Sequence, residues 1–458
     1  LVRKPLFVVP NHMLEQFSRE FYQLYPNAKL LVAGKEDLTK EKRQLFTAKA
    51  ASGEWDGVIM THSSFEKIGM SPAFQEGFVR EQIADYEALL TDMKTGADSD
   101  AKRLIKRIEK QKEQWEARLE ELVNAEAKDR GLTFEELGVD HLFVDEAHLF
   151  KNLETPTKMD RVAGVQTSGS LRAFDLLMKT RYLEERTAGR GVCFATGTPV
   201  SNSMVEMYTM QRFLTPGLLE ERGIAHFDAW AALFGDIVDN IELSPDGQSL
   251  RSNRRFARFI NLPELLQLFH VFADVRTADM LDLPRPALKG GQPTTVVCPM
   301  SEAQKAIQQR LVARYERVRS GGVDPSVDNA LKITTDGRKL ALEVRLVAAG
   351  LPAHEEGKVQ ALVENVYDIW LNTQAERATQ LIFCDLGVSA KDGRFSVYQA
   401  VIKGLAAQGV PPEEIANIGD YASDARKAQL FAQVRRGDVR ILLGSTAKMG
   451  TGTNVQER

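Results

Sequence analysis

Residues 142–148 read Leu-Phe-Val-Asp-Glu-Ala-His, and this stretch predicts both a buried strand and the chemistry at its end. The apolar run delivers two adjacent carboxylates, Asp145 and Glu146, to the carboxyl end of the strand, where open α/β sheets bind their ligands. Adjacent strand residues point to opposite faces, but a chain leaving the strand can turn both carboxylates into one crevice. One carboxylate can then hold Mg²⁺ while the other orients a water at a γ-phosphate. An ordinary acidic turn on the surface is the alternative.

Short apolar runs separated by helical patterns surround this strand and predict an α/β fold with parallel sheets. In the first half of the chain they lie at 6–9, 29–32, 55–60, 141–144 and 191–195, with a helix over 13–24. Further runs at 294–297, 381–384 and 440–443 alternate with helical segments near 301–319, 357–372 and 395–408. The pattern therefore predicts two α/β regions, with a more helical, arginine-containing stretch at about 205–285 between them.

A highly charged segment at about 75–130 interrupts the first α/β region. Its apolar residues fall close to one helical stripe, and they are Leu104, Ile108, Trp115, Leu119 and Leu122. We expect a helical hairpin inserted into the sheet domain, with its turn at 95–100. The hairpin is either an arm that contacts DNA or a partner, or a charged pair of helices packed on the domain.

Composition narrows the class of protein. A chain of 458 residues with 43% hydrophobic and 27% charged residues is long enough for two or three globular domains. The formal net charge of -4 indicates that any polyanion binds in a local groove. The three cysteines lack metal-ligand or disulfide spacing, so we expect core thiols and a cytoplasmic location.

The strand that follows the acidic pair ends in a second run of polar residues, Thr196-Gly197-Thr198-Pro199. Hydroxyl side chains at a strand end can bond the acidic site on one side and a nucleic-acid backbone on the other. An ordinary turn is the alternative, but the position after the acidic pair favours a coupling loop.

Several ordered motifs of the chain resemble those of superfamily-two helicases, and of Swi/Snf-type DNA translocases in particular. In the first half the resemblance rests on residues 144–148, 196–202, 10–17, 204–208 and 213–216. Residues 276–280, 283–284 and 301–304 resemble the inter-lobe segment of this family, and residues 443–454 resemble its fifth motif. Residues 134–140, 151–153 and 336–338 are similar to the helicase region of phage and plasmid methylase–helicase proteins, which include antirestriction factors.

The resemblance implies a role for each matching residue. Asp145, Glu146 and His148 would form a DEAH box, in which Asp145 binds Mg²⁺, Glu146 polarises the attacking water and His148 senses the nucleotide. The residues implied to contact nucleic acid or to couple it to the nucleotide are Pro10, Asn11, Thr61, His62, Ser63, Thr196, Thr198, Ser445 and Thr446. Gly450, Gly452 and Asn454 would lie at the nucleotide. ATP and Mg²⁺ are the implied cofactors, and double-stranded DNA is the implied partner.

The resemblance also implies domain boundaries within a bacterial, phage or plasmid protein. Residues 1–240 would form a first RecA-like lobe, residues 241–292 a helical inter-lobe segment, and residues 293–458 a second RecA-like lobe. ATP hydrolysis between the lobes would drive movement on DNA. A methyltransferase domain in the same parent protein is implied by the resemblance alone.

Two expected motifs are not found in the sequence. The chain contains no Gly-x-x-x-x-Gly-Lys-Ser/Thr loop to cradle phosphates, and no arginine motif follows the fifth motif. We therefore expect a fragment of a larger enzyme that does not hydrolyse ATP usefully alone. A non-hydrolysing DNA-binding scaffold and an RNA helicase are the alternatives.

Overall fold

The computed structural model describes residues 2–34, 37, 39–93, 99–124, 133–159, 162–165, 168–243, 250–281, 287–388, 394–421 and 423–449. They divide into two compact units: the first contains the described residues up to Glu242 and those from Leu250 to Leu281, and the second contains Leu243 and the described residues after Leu281. The strands of the first unit are β1 (Pro5–Val9), β2 (Leu30–Ala33), β3 (Gly57–Thr61), β4 (His141–Asp145), β5 (Val162–Ala163), β6 (Val192–Ala195), β7 (Gly235–Leu243) and β8 (Leu250–Phe259). Its helices are α1 (Leu14–Leu24), α2 (Lys40–Ser52), α3 (His62–Phe65), α4 (Pro72–Met93), α5 (Ser99–Asn124), α6 (Leu171–Thr187), α7 (Val205–Leu214), α8 (Pro216–Glu221), α9 (Phe227–Phe234) and α10 (Leu262–Phe272).

A five-stranded parallel sheet in the order β2-β3-β1-β4-β6 organises the first unit. Its central strands are apolar because helices cover both faces, as is usual for parallel sheets. Leu6, Val8, Leu142 and Val144 are at most 1% exposed. Because every strand runs the same way, the carboxyl ends of β1, β3, β4 and β6 meet at one edge. We call this the first carboxyl edge.

The predicted helical insertion is present as α4 and α5, and these helices pack on the sheet domain. Ile108 and Trp115 of α5 and Tyr86 of α4 are buried in the main core. The carboxylate of Glu154 accepts hydrogen bonds from the Tyr86 hydroxyl and, at 3.2 Å, from Trp115 Nε1. The backbone oxygen of Glu154 accepts a bond of 2.7 Å from Arg212 in α7. Of the two alternatives, packing on the domain is confirmed; the central residues of the predicted turn lie outside the described residues.

The second unit contains a three-stranded parallel sheet in the order β10-β11-β9. Its strands are β9 (Gln380–Phe383), β10 (Ile415–Asn417) and β11 (Ile441–Gly444), and its helices are α11 (Glu302–Arg319), α12 (Ala330–Leu342), α13 (Lys358–Asn372), α14 (Val397–Ala407), α15 (Asp424–Arg436) and α16 (Thr446–Met449). The core lies between this sheet and α13 and α14. The prediction of an α/β protein with parallel sheets and a helical insertion is thus confirmed.

Two predicted segments have a different secondary structure. Residues 294–297 form no strand, and Val296 and Val297 are 61% and 85% exposed, so this apolar run has no neighbouring strand to pair with. Part of the stretch predicted to be helical forms β7 and β8 instead. Phe256 of β8 packs against Phe227 of α9, and this tertiary contact favours the strand over a helix.

The cysteines are free, but they are not all in the core. Cys193 is exposed and the other two are partly exposed. Cys193 lies on β6, an edge strand of the sheet with alternating burial, so the prediction of a core thiol is wrong there.

None of the helices in the described ranges is long and apolar enough to cross a membrane.

Candidate functional site

The acidic pair lies at the first carboxyl edge, where the backbone turns sharply. Asp145 is the last residue of β4, and Glu146 adopts a left-handed conformation with φ 51° and ψ 44°. This region is unfavourable for a residue with a side chain, at a cost of about 1–3 kcal/mol. Asp145 Oδ1 accepts a hydrogen bond of 2.9 Å from the Glu146 N–H, which stabilises the turn. The chain therefore turns directly after the strand, between the two carboxylates.

The surroundings shift the protonation of Asp145. Burial raises the pKa of Asp145 above its usual value, while the Glu146 N–H and the nearby His12 and His148 oppose that shift. An ion bound beside this carboxylate would replace the hydration that burial removes.

His148 connects Glu146 to the end of β6. Its Nδ1 lies 3.0 Å from Glu146 Oε2 and 3.1 Å from Thr196 Oγ1. An ionised carboxylate only accepts hydrogen bonds, so the contact with Glu146 requires a proton on Nδ1. Thr196 Oγ1 also accepts a bond of 3.1 Å from the Thr198 N–H. The single Nδ1 proton is therefore shared between Glu146 Oε2 and Thr196 Oγ1, and these contacts connect the acidic pair to the loop at residues 196–202, the threonine loop.

Two residues that the sequence did not identify as functional, Lys151 and Glu206, support the threonine loop. Lys151 Nζ and Glu206 Oε2 are 2.8 Å apart, and both side chains are largely buried. Burial alone would raise the pKa of Glu206, but hydrogen bonds from Lys151, Ser201 and Asn202 outweigh it and hold that pKa below its usual value. The available signal was that both residues lie in stretches that carry the family resemblance, 151–153 and 204–208, although no role was assigned to either.

Three residues predicted to approach nucleic acid are buried in the first unit. Thr61 and His62 are 0% and 4% exposed, and Pro10 is also buried. Thr61 instead caps α3, since its Oγ1 accepts a bond of 3.2 Å from the Ser64 N–H. The side chains of these three residues therefore contact the interior of the unit, and their contact with nucleic acid stays a prediction.

His62 has a different contact, directed at the acidic pair. Its Nε2 lies 2.8 Å from the Asp145 carbonyl oxygen, so Nε2 carries a proton and donates. Burial lowers the pKa of His62 to about 4, against the effect of this hydrogen bond. A neutral His62 therefore fixes the backbone at the point where β4 ends.

Asn11 and Ser63 are brought together at the same edge. The Ser63 hydroxyl donates a bond of 2.9 Å to Asn11 Oδ1. Asn11 is exposed and Ser63 partly exposed, so of the five predicted residues in these two loops, these two remain accessible. Neutral polar groups of this kind can contact phosphates without reading bases.

In the second unit, Ser445 and Thr446 directly follow β11. Thr446 is exposed, and its Oγ1 and N–H donate bonds of 2.9 Å and 2.8 Å to the two carboxylate oxygens of Asp385. Asp385 follows the neighbouring strand β9 and was not predicted from the sequence. Gly450, Gly452 and Asn454 lie outside the described residues.

The first carboxyl edge suits a magnesium ion shared with a ligand. In the part of the chain that the structure describes, no three histidine, cysteine, aspartate or glutamate residues cluster as in a metal site built by protein alone. Mg²⁺ commonly uses one or two carboxylates together with substrate phosphates and water. The oxygens of Asp145 fit that role.

Comparisons with known proteins support the resemblance of this chain to helicases. Residues 1–277 match the sequence model of a family described as "Probable helicase domain". The chain is 28% identical over 202 residues to Defense against restriction protein B of Escherichia phage P1, an alignment that covers 43% of this chain and 9% of the phage protein. The chain thus spans a small part of that relative.

A solved structure, the Sulfolobus solfataricus SWI2/SNF2 ATPase core in complex with dsDNA, is 13% identical and aligns with 97% of this chain and 67% of its own. Its TM-score of 0.30 is too low for any conclusion on fold or function. The family model and the phage relative confirm the resemblance to helicases, including antirestriction proteins, that the motifs indicated. Because the sequence model of the family matches more than half of the residues of this chain, the chain belongs to the probable helicase domain family.

Proposed function

We propose that this chain is part of an ATP-dependent translocase that moves on double-stranded DNA. The observation that carries the proposal is the chain of contacts from Glu146 through His148 to Thr196 at one sheet edge. These contacts support the proposal because a carboxylate that would activate water lies close to a hydroxyl loop that would contact a phosphate backbone. Membership of the helicase family supports the same activity.

Each residue of the acidic pair has a distinct task in this proposal. Asp145 would hold Mg²⁺, which supplies charge neutralisation at the phosphates of ATP. Glu146 would orient and deprotonate the attacking water, with its carboxylate positioned by His148. His62 would keep the backbone of Asp145 in place through its bond of 2.8 Å to the carbonyl oxygen.

Double-stranded DNA is the proposed substrate. The phage relative is named for defence against restriction. Asn11, Ser63 and Thr198 offer neutral donors and acceptors that bind a backbone without sequence preference, as a moving protein requires.

The substitution Glu146→Gln in the full-length protein tests the enzyme directly. It preserves the size of the side chain but removes the base, so we expect DNA-stimulated ATP hydrolysis to fall by about 100-fold or more, with ATP binding retained. Hydrolysis is measured with duplex DNA, with RNA and without nucleic acid. Glu116→Gln, in an exposed pair with Lys112 on α5, is the matched control and leaves the rate unchanged.

Three outcomes would contradict the proposal. Undiminished hydrolysis in Glu146→Gln would exclude the assigned base. DNA binding by a wild-type protein that never hydrolyses ATP would favour the non-hydrolysing scaffold. Stimulation by RNA alone would favour an RNA helicase.

A further inference from the structure

We propose that Lys151 and Glu206 are positioning residues that hold the exposed loop 198–202 at a fixed place relative to Glu146. We call them the buried ion pair. This inference rests on the proposed function, and it identifies a second connection between the acidic pair and this loop, one that does not use the His148 side chain.

Every donor of the lysine is used in this connection. A protonated lysine has three N–H donors, and Lys151 Nζ has three acceptors. They are Glu206 Oε2 at 2.8 Å, Ser201 Oγ at 2.8 Å and the Thr198 carbonyl oxygen at 3.2 Å. Two of these acceptors belong to the loop, so the lysine fixes its course at two points.

Glu206 holds the other end of the loop. Its Oε2 accepts hydrogen bonds of 2.7 Å from the Ser201 N–H and 3.2 Å from the Asn202 N–H. Glu206 lies in the first turn of α7, where a carboxylate is also favoured by the helix dipole. The loop is thereby tied to the start of a helix and to the lysine by one carboxylate oxygen.

Lys151 is rigidly placed with respect to the acidic pair. A short helical turn, Ala147–Phe150, begins directly after Glu146 and ends directly before Lys151. The Lys151 N–H donates to the His148 carbonyl oxygen at 3.3 Å, which closes this turn. A displacement of Glu146 or His148 is therefore passed to the lysine, and through it to Thr198 and Ser201.

Stability alone does not account for this arrangement. A buried ion pair contributes little to stability relative to apolar residues of similar size, because desolvation opposes the attraction. Thr198, Ser201 and Asn202 are exposed, so the buried charges fix a loop that faces solvent. Precise placement of that loop is what the pair provides.

The same unit contains a second lysine–carboxylate pair that serves as a control. Lys179 Nζ lies 2.6 Å from Asp175 Oδ2, and the lysine is fully buried. Its other polar contact is the Phe65 carbonyl oxygen at 2.9 Å. Replacing Lys179 removes a buried charge of the same kind without touching the loop 198–202.

Lys151→Met, Glu206→Gln and Lys179→Met are compared in the full-length protein. For Lys151→Met we expect hydrogen exchange at residues 198–202 to accelerate by about tenfold or more. We expect kcat for DNA-stimulated ATP hydrolysis to fall by about tenfold, the scale of coupling between two sites, with KM for ATP within about twofold. Glu206→Gln retains an oxygen for the two amides, so both effects are smaller. Lys179→Met leaves the exchange of this loop and the KM unchanged.

Unchanged exchange of the loop in both Lys151→Met and Glu206→Gln would overturn the proposal, as would a kcat that falls equally in Lys179→Met. Glu206→Gln decides the question if Lys151→Met does not fold. A wild-type protein without DNA-stimulated hydrolysis would refute the proposed function, whereas the exchange measurement would still decide whether the pair positions the loop.

Discussion

Each of the two parallel sheets has an aspartate at or just after the end of a strand, but the two carboxylates make different contacts. At the first carboxyl edge, the Asp145 carboxylate accepts the N–H of Glu146 through Oδ1, and Glu146 contacts a histidine. At the corresponding edge of the second unit, both oxygens of Asp385 are occupied by the N–H and hydroxyl of Thr446. The first edge therefore retains acceptor capacity for a ligand, while the second uses its carboxylate to hold its own loop.

In the proposed function, the first edge binds the nucleotide, whereas the carboxylate at the second edge holds its own loop in place. A carboxylate with a hydrogen bond on each oxygen has fewer lone pairs left for an ion than a carboxylate with a single hydrogen bond. The first edge also contains a strained backbone at Glu146, and strain of this kind is often found at functional sites. Asp145 and Asp385 should accordingly respond to substitution in different ways.

The largest expected contrast is in catalysis. Asp145→Asn should reduce ATP hydrolysis by the full-length protein by about 100- to 1000-fold, as removal of a single preorganised electrostatic group does. Asp385→Asn keeps one oxygen for the Thr446 N–H, so its loss should stay within about tenfold. Initial rates at saturating ATP and duplex DNA measure both. Equal losses of activity in the two variants would contradict the expected difference between the two edges.

A smaller effect is expected on how the stability of the first unit depends on pH. His62 has a folded-state pKa of about 4 against an ordinary 6.5. Between these values the unfolded chain binds a proton that the folded first unit does not, so stability falls as pH drops from about 6.5 to about 4. The loss is up to about 3 kcal/mol. Asp145, whose pKa is raised, acts in the opposite direction at the acidic end of this range.

Urea unfolding followed by tryptophan fluorescence measures this effect. In a Trp370→Phe background the remaining tryptophans, Trp55, Trp115 and Trp230, all lie in the first unit. His62→Gln retains a donor for the Asp145 carbonyl oxygen but does not titrate, so its curve should be flatter than that of the parent. Parallel curves would show that His62 does not control the acid sensitivity.

The smallest effect is expected at the second edge. Thr446→Val removes the hydroxyl that bonds Asp385 but keeps the backbone bond, and the site is exposed. The free energy of unfolding of the second unit should fall by about 0.5–1.5 kcal/mol. Trp370, which alone among the four tryptophans lies in this unit, reports the transition. A loss as large as that from a buried group would mean that this loop is part of the core.

The sequence predicted the parts of the molecule that depend on local pattern. The apolar run before Asp145 gave the position of the strand, and strand direction brought Asp145 and Thr196 to one edge. The run at Val296 and Val297 has the same pattern but no strand beside it, which a single sequence does not show. The Arg-rich β8 was misassigned because its conformation depends on packing with a helix more than twenty residues away.

The roles of Lys151, Glu206 and Asp385 could not be predicted from the sequence for a similar reason. Lys151 and Glu206 meet across 55 residues of chain, and Asp385 and Thr446 across 61. No local pattern links such residues, since only the fold brings them together. Pro10, Thr61 and His62 show another limit of the sequence, since a matching motif implied a place near nucleic acid but did not indicate that the fold buries their side chains.

The carboxylate of Glu154 links the two inserted helices to the rest of the first unit. This one residue is held by both inserted helices through its side chain and by α7 through its backbone. Removing the helices would leave a partly buried carboxylate without its donors, eight residues after Glu146. The inserted helices are thus part of the core of the first unit, and their removal is expected to destabilise that unit.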